Sequence, residues 1–363
     1  MKIKRIGSIL TAVLFCGVLL LFCAATAFLP KETISAAERR RLASFPSFSW
    51  DALWSGAYAD GLSAYVNDHF ALRDGLRAVN TAVRTAVFRQ PTVGGVTELD
   101  GYLFSPQSAL DERAIRQNAE KLQSLIDTYF PDQTVYFSVI PDKADFAPEA
   151  LPRLDTDAVV SLLCASLGAE YIDMRSTLEL ADYYRTDTHW RQERLGDTAA
   201  ALLEGMGLTL SDDLSAGTQN AVEPFYGVLW GRYGLPLPGD TLVYCATPAT
   251  ESAVVKNLDH PDVKTVYDLQ TTSPDPYDLF LSGASSVVEI ESPLAQTNRH
   301  LVLFRDSFAG SLAPWLLTQY EKITMIDIRY IASAQIGAYA ELSADDVLFL
   351  YSASVLNTGG VLK

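Results

Sequence analysis

Apolar residues follow three different spacings along the chain. Residues 6–30 form an uncharged run that is long enough to cross a membrane as a helix. In residues 31–96, apolar residues recur at helical spacing and predict a helix with one apolar face: Leu72, Leu76, Val79, Val83 and Val87. From residue 97 to residue 363, β-rich runs alternate with helical stripes.

The alternating part predicts an α/β fold. Strands are expected at 134–140, 170–173, 300–304, 323–328 and 346–351. Helices are expected between them at 115–126, 157–167, 198–206, 309–320 and 337–342. Such alternation is typical of a largely parallel sheet covered on both faces, which is a three-layer architecture. Residues 208–298, rich in Pro, Gly, Ser, Thr and Asp, interrupt it and predict a β-rich insertion.

The composition is that of a globular protein. The 363 residues are 48% hydrophobic and 20% charged, and the net charge is −16. This acidic balance argues against nucleic acid as a partner, because phosphate binding needs a basic surface.

Cys164 and Cys245 are the only cysteines outside the N-terminal apolar run. An exported protein permits a disulfide between them, and free buried thiols are the simpler expectation.

The N-terminal run has the form of an export signal, because Lys2, Lys4 and Arg5 precede it. Left uncleaved, residues 6–30 would anchor the protein in the cell membrane by a single pass, with the body on the extracytoplasmic side. The alternative is secretion after cleavage near residues 25–27 (A-T-A). We therefore expect three parts: a membrane anchor or signal peptide in 1–30, a helical stalk or cap in 31–96, and an α/β domain in 97–363.

Ser307 stands where a predicted strand ends and a predicted helix begins. In an α/β protein this position is the carboxyl edge of the sheet, where ligands bind. The start of a helix also offers unpaired N–H groups and a positive dipole end, which suit a developing oxyanion. Ser307 is therefore a candidate nucleophile. The alternative is that Asp306 or Ser307 only caps the helix.

Asp187 and His189 lie two residues apart in 186–190 (T-D-T-H-W). In an extended turn alternate residues share a side, so Asp187 can orient His189 and hold its tautomer. With Ser307 they supply the acid, imidazole and hydroxyl of a nucleophilic serine site. Alternatively, Asp187 caps a helix and His189 is a surface residue. A D-x-H pair can also bind a divalent ion, but no further ligands follow at a recognisable spacing, so we expect no metal or cofactor.

These motifs resemble the DHHW family of exported bacterial proteins, which is similar to alginate O-acetylation proteins with an SGNH-hydrolase-like domain. The specific matches are 186–190, where the family has T-D-x-H-W, and 305–308 (R-D-S-F). Weaker matches are 67–73 (N-D-H-F-A-L-R), 101–104 (G-Y-L-F) and 140–143 (I-P-D-K). The resemblance extends from about residue 40 to the C-terminus.

The resemblance implies a permuted, flavodoxin-like SGNH domain in which Asp-x-His precedes the serine. It implies Ser307 as the nucleophile, His189 as the general base and Asp187 as the residue that orients His189. The family's oxyanion asparagine has no clear counterpart. Asn357, shortly after the last strand, is the nearest candidate, and the alternative is a C-terminal turn residue. We expect the remaining contacts with the substrate from two residues of the matching motifs, Trp190 and Lys143.

The resemblance also implies an activity. This is O-acetylation of an extracellular or cell-wall polysaccharide, with a membrane-bound O-acyltransferase delivering the acetyl group. Two other functions stay open: an acetylesterase, in which water replaces the sugar hydroxyl, and a non-catalytic carbohydrate-binding or scaffold protein. Two residues depart from the family pattern: Thr188 replaces the second His of the name motif, and Arg305 stands where Gly is usual in the wider superfamily.

Overall fold

The structure is a computed structural model and describes residues 2–35, 38–107, 109–148, 151–211 and 213–363. It forms two compact units. The first, here called the stalk unit, comprises the chain up to Val93 together with Trp230–Leu237. The second, here called the main unit, comprises Gly94–Leu229 together with Pro238–Lys363.

The stalk unit begins with a long helix, α1 (Lys2–Phe28). Its stretch Ile9–Phe28 has a mean hydropathy of 2.6 and is long and apolar enough to cross a membrane, which confirms the predicted apolar helix. Short elements follow: β1 (Ile34–Ser35), β2 (Arg40–Arg41), α2 (Trp50–Ser55), α3 (Ala57–Asp68), α4 (Arg73–Ala82) and β3 (Thr92–Val93). A π-helical stretch, Val83–Val87, continues α4.

Helix α4 and its π-helical continuation carry the predicted apolar stripe, but the stripe faces outward. All five of its residues are at least 40% exposed. The polar side of the helix faces the rest of the unit instead, where Arg73 and Arg77 form salt bridges with Glu38 at 2.8 and 2.7 Å. The spacing therefore predicted the helix correctly but did not predict the direction in which its apolar side points.

The main unit contains the remaining strands and helices. The strands are β4 (Val96–Leu99), β5 (Tyr102–Phe104), β6 (Val135–Ile140), β7 (Glu170–Tyr171), β8 (Thr218–Phe225), β9 (Asp240–Ala246), β10 (Val254–Asn257), β11 (Val287–Glu291), β12 (Arg299–Arg305), β13 (Tyr320–Ile326) and β14 (Asp346–Ser352). The helices are α5 (Glu112–Tyr129), α6 (Thr156–Cys164), α7 (Gly196–Gly205), α8 (Val228–Tyr233), which runs on into the stalk unit, α9 (Pro248–Ser252), α10 (Ala309–Leu316) and α11 (Ala353–Leu356).

The central sheet has seven strands in the order β10-β11-β13-β12-β14-β6-β7. The last five are parallel neighbours, whereas β10 and β11 add two antiparallel strands at one edge. Counted from β12, the parallel part has the order 2-1-3-4-5 of flavodoxin-like doubly wound folds. Its fourth and fifth strands, β6 and β7, come first in sequence. This confirms the expected permuted, flavodoxin-like architecture.

Both faces of the sheet are buried. In β12, Leu301 and Leu303 belong to a core that includes residues of α7 and α10. Val302 and Phe304 belong to a second core, with residues of α5 and α6. Side chains alternate along a strand, so a strand that is apolar at successive positions must be covered on both sides. The sheet is therefore the middle layer of three.

Residues 208–298 contribute both inside and outside this sheet. Strands β8 and β9 form a separate antiparallel pair, whereas β10 and β11 extend the sheet itself.

Two predicted helices differ from the observed elements. The helix expected at 309–320 ends at Leu316 because Tyr320 already begins β13, and the helix expected at 337–342 is a 3₁₀ helix, Ser333–Ala338. Cys164 is exposed, Cys245 is buried, and both thiols are free.

We expect Phe304→Ala to lower the free energy of unfolding by about 3–5 kcal/mol, because it empties a large buried volume. Phe304 is 0% exposed and stacks on Phe349, with 4.6 Å between ring centroids. Urea unfolding followed by circular dichroism measures the change. The matched control is Tyr339→Ala, since Tyr339 is 55% exposed and should shift stability by less than about 0.5 kcal/mol. Equal effects of the two changes would contradict the central position of β12.

Candidate functional site

Ser307 lies at the carboxyl end of the central strand β12, directly before α10. In the 2-1-3-4-5 order the strand sequence reverses between β12 and β14, and doubly wound proteins bind their ligands at this switch point. Ser307 is partly exposed. Its side chain does not cap α10; instead, its Oγ lies 2.8 Å from Nε2 of His189.

Asp306 holds the turn that carries Ser307. Its Oδ1 accepts a hydrogen bond from the backbone N–H of Phe308 at 3.1 Å. Its Oδ2 accepts one from the backbone N–H of Ser352, at the end of β14, at 2.8 Å. Asp306 is only 1% exposed. The carboxylate therefore joins the ends of two neighbouring strands and fixes the backbone on either side of Ser307.

Asp187 and His189 lie on the same side of their turn, as the two-residue spacing predicts. His189 Nδ1 is 2.6 Å from Asp187 Oδ1, and the backbone N–H of His189 donates to the same oxygen at 3.0 Å. When Nδ1–H is bound to a carboxylate, Nε2 is left unprotonated and can accept a proton from a hydroxyl. The geometry therefore suits proton transfer from Ser307 to His189.

The carboxylate of Asp187 is fully buried, so its charge requires polar partners. Its Oδ2 accepts a hydrogen bond from the backbone N–H of Val228 at 2.8 Å. This bond depends on a close approach of two chain segments, because a Cβ at Gly227 would lie only 2.3 Å from the carbonyl oxygen of Thr186. Thr186 is held in turn by Asp240, whose Oδ2 accepts from its hydroxyl at 2.6 Å. A glycine at 227 thus allows the chain to reach Asp187.

Aromatic side chains fix the imidazole of His189. Tyr277 stacks on it, with 4.0 Å between ring centroids and 14° between ring planes. Phe308 contacts it at a centroid distance of 4.8 Å. Burial raises the pKa of the Tyr277 hydroxyl, which lies 2.8 Å from Ser311 Oγ, and Trp190 Nε1–H donates to the same oxygen at 2.8 Å. The ring of His189 is therefore held against a rigid polar and aromatic cluster.

Lys143, which follows β6, supports the loop of Asp187 from inside. It is 3% exposed, and its Nζ donates to the carbonyl oxygens of Asp187 at 2.6 Å and Tyr184 at 2.9 Å. Burial lowers the pKa of Lys143 to about 8, because desolvation disfavours the charged form. Lys143 is therefore a positioning residue for the backbone of Asp187.

Three sequence-based assignments need correction. Trp190 is 0% exposed and its indole N–H is bound inside the core, while Lys143 is occupied by backbone carbonyls. Both side chains are therefore buried and bonded within the protein rather than open to a ligand. Asn357 ends α11: its Oδ1 accepts from the backbone N–H of Asp111 at 2.7 Å, and its Nδ2 donates to the carbonyl of Ala109 at 2.9 Å. Its amide is thus committed to the chain before α5, and the oxyanion assignment is wrong.

The two departures from the family pattern do not separate Ser307 from His189. Arg305 is 1% exposed, and its guanidinium donates to the carbonyl of Gly283 at 3.3 Å. Burial lowers the pKa of Arg305. Thr188 is partly exposed beside Asp187. With Arg305 and Thr188 at these positions, the hydrogen bonds from Asp187 through His189 to Ser307 are intact.

This line can activate the Ser307 hydroxyl for attack on a carbonyl carbon, because the base and its orienting carboxylate are within hydrogen-bonding distance. Within the described ranges, no group of three or more His, Cys, Asp and Glu side chains is placed to hold a metal ion.

The fold is shared with solved structures, although no family model and no curated protein matches the sequence. A DHHW family protein from Eubacterium siraeum DSM 15702 is 22% identical with a TM-score of 0.61, over 74% of this chain and 94% of that one. Bacillus cereus PatB1 is 17% identical with a TM-score of 0.58, over 74% and 98%. These likenesses confirm, at the level of the fold, the resemblance seen in the motifs. The O-acetyltransferase domain of Pseudomonas putida AlgJ is more distant, with 16% identity and a TM-score of 0.45 over 73% and 92%, and adds nothing to this.

Sequence reasoning missed Val228, Asp240 and Tyr277. All three lie in 208–298, which the sequence described only as an insertion. Val228 acts through a backbone N–H, which has no signature in sequence. Tyr277 is a single aromatic residue in a polar loop and resembles many others. The one usable signal was Gly227, since a glycine inside a β-rich segment often marks a close approach of two backbones.

We expect Gly227→Ala to reduce 4-nitrophenyl acetate hydrolysis by about 100-fold, because the added methyl group displaces Thr186 and shifts Asp187 and His189. Steady-state rates, with circular dichroism to verify folding, measure the effect. Gly168→Ala is the control, since a Cβ there meets its nearest neighbour at 3.6 Å. An unaltered rate in folded Gly227→Ala would show that the approach to Asp187 is not needed.

Proposed function

We propose that the protein is an extracytoplasmic O-acetyltransferase that modifies an exopolysaccharide or cell-wall glycan through an acetyl-serine intermediate. The observation that carries the proposal is the hydrogen-bonded line from Asp187 through His189 to Ser307, with distances of 2.6 and 2.8 Å. The T-D-x-H-W and D-S-F motifs and the fold shared with a DHHW family protein support it.

In the first half-reaction, Ser307 Oγ attacks the carbonyl carbon of an acetyl donor while His189 Nε2 takes the hydroxyl proton. The bond between that carbon and the donor's leaving group then breaks, and His189 gives the proton to the leaving group. Asp187 stabilises the imidazolium that exists in between. The product is an acetyl ester on Ser307.

The oxyanion that forms on the carbonyl oxygen needs N–H donors beside Ser307. The N–H of Phe308 is not available, because it donates to Asp306. The N–H of Ser307 itself makes no hydrogen bond within the described part of the chain, and we assign it to the oxyanion. The positive end of α10 adds a favourable field at the same place.

In the second half-reaction, a sugar hydroxyl attacks the acetyl-serine. His189 removes the proton of that hydroxyl and returns it to Ser307 Oγ as the ester bond to the serine breaks. The glycan leaves with an O-acetyl group and the site is restored. Water in place of the sugar gives an esterase, so the acceptor decides the activity.

The location proposed is the extracytoplasmic side of the cell membrane, with α1 as a single-pass anchor. The length of its apolar stretch and the basic residues Lys2, Lys4 and Arg5 before that stretch support this. Secretion after cleavage of the same segment is the alternative. The acetyl group must then reach that side of the membrane. We propose a membrane-bound O-acyltransferase as the partner that supplies it.

The test is intact-mass spectrometry of the purified full chain after brief exposure to 4-nitrophenyl acetate. We expect one acetyl adduct, absent in Ser307→Ala. In Asp187→Asn its formation should be slower by about 10³-fold or more, because the tautomer of His189 is no longer held. Ser124→Ala is the matched control, since Ser124 is an exposed serine of α5 outside the site.

The fate of the adduct separates the candidate functions. Discharge by added glycan faster than by water supports the transferase, and discharge by water alone replaces it with the esterase. A folded protein that gives no adduct at Ser307 with any small acetyl ester would favour the non-catalytic carbohydrate-binding or scaffold function.

A further inference from the structure

The apolar stripe of α4 is a feature of the stalk unit that the proposed function leaves unexplained. We define the stalk face as Leu72, Leu76, Val79, Val83 and Val87. Their exposed fractions are 71, 42, 61, 40 and 67%. Between residues 75 and 87, every exposed residue is uncharged. A continuous apolar face of this kind on a soluble protein marks an interaction surface.

The opposite side of the same helix is polar and occupied. Arg77 donates to the carbonyl oxygen of Gly231 at 2.5 Å, and the buried hydroxyl of Thr81 donates to that of Tyr233 at 2.7 Å. Arg73 pairs with Glu38. A helix that packs its polar side inward and its apolar side outward is reversed relative to a helix in water. Its outer surroundings must therefore be apolar.

The start of α4 lies against the part of α1 that is fit to cross a membrane. Phe70 stacks on Phe22, with 5.5 Å between ring centroids and 8° between ring planes. The backbone N–H of Ala71 donates to Thr26 Oγ1 at 3.1 Å. Phe22 lies six residues before the end of α1 at Phe28, which is about 9 Å along the helix. With α1 in a bilayer, the residues before Leu72 are therefore at the level of the lipid interface.

The distribution of charge also favours the stalk unit as the part of the protein that contacts a membrane. The stalk unit after the apolar run, residues 31–93 with 230–237, contains nine Lys and Arg against six Asp and Glu, whereas the main unit contains 16 against 38. Anionic lipid attracts basic segments and repels acidic ones. The stalk unit is thus the part of the exported chain that an anionic lipid surface does not repel.

We propose that the stalk face lies on the outer leaflet of the membrane, with α4 and its π-helical continuation bound as an interfacial helix. This inference rests on the anchored form proposed above. Burial of five partly exposed apolar side chains in the acyl boundary stabilises this position. The helix then fixes the stalk unit on the bilayer through a second contact besides α1.

The test uses the full chain in vesicles of phosphatidylcholine and phosphatidylglycerol. The four native cysteines are replaced by alanine, and one cysteine at a time carries the fluorophore NBD. Val83→Cys reports the stalk face, and Val254→Cys is its matched control, because these valines are 40 and 44% exposed and Val254 lies in the main unit. Val18→Cys, within the apolar stretch of α1, reports the anchor.

We expect nitroxide lipids labelled near the headgroup to quench NBD at position 83 at least twofold more than at position 254, with blue-shifted emission at position 83. Quenching at position 83 by aqueous iodide instead would overturn the proposal. Blue-shifted emission without lipid quenching would also overturn it and would indicate a second copy or another protein on the face. Position 18 lies at the middle of the apolar stretch of α1, so it is tested with lipids that carry the nitroxide deep in the acyl chain. Absence of quenching by these lipids would refute the anchored form itself, which separates the two failures.

Discussion

The buried carboxylate of Asp187 is the interaction on which the site depends. A charge with no exposure to water is tolerated only when its hydrogen bonds are complete, and Asp187 accepts them from the ring and backbone of His189 and from the backbone of Val228. Meeting that requirement brings 227–229 against the T-D-T-H-W turn. The imidazole is held in one orientation as a result, and Nε2 points at Ser307.

Ser307 is placed by a separate constraint, the parallel sheet. The carboxyl ends of β12, β14 and β6 meet at one edge, and each contributes a part: Ser307 with Asp306, the N–H of Ser352, and Lys143. Asp306 and Lys143 are buried polar groups that act on backbone rather than on substrate. The residues proposed to react are thus held in place by buried polar groups that bind only the backbone.

Much of this was predictable from sequence, for identifiable reasons. Runs such as 300–304 are apolar at successive positions, so the parallel sheet and its two covered faces followed from strand periodicity. The two-residue spacing of Asp187 and His189 predicted a shared side. The roles of Asn357, Trp190 and Lys143 were wrong because sequence does not show which side chains are buried and already bonded. The apolar stripe of α4 predicted a helix, but its outward orientation depends on Glu38 and on backbone carbonyls far along the chain.

The proposed mechanism requires that His189 and Asp187 make Ser307 more reactive than its neighbours, including Ser311 and Ser352 close by. The most direct measurement is labelling of the full chain with a small sulfonyl fluoride, followed by peptide mapping. We expect one sulfonyl group on Ser307, and labelling slower by about 10³-fold or more in His189→Ala. Labelling of another serine in its place, or equal rates in the folded wild type and His189→Ala, would contradict it.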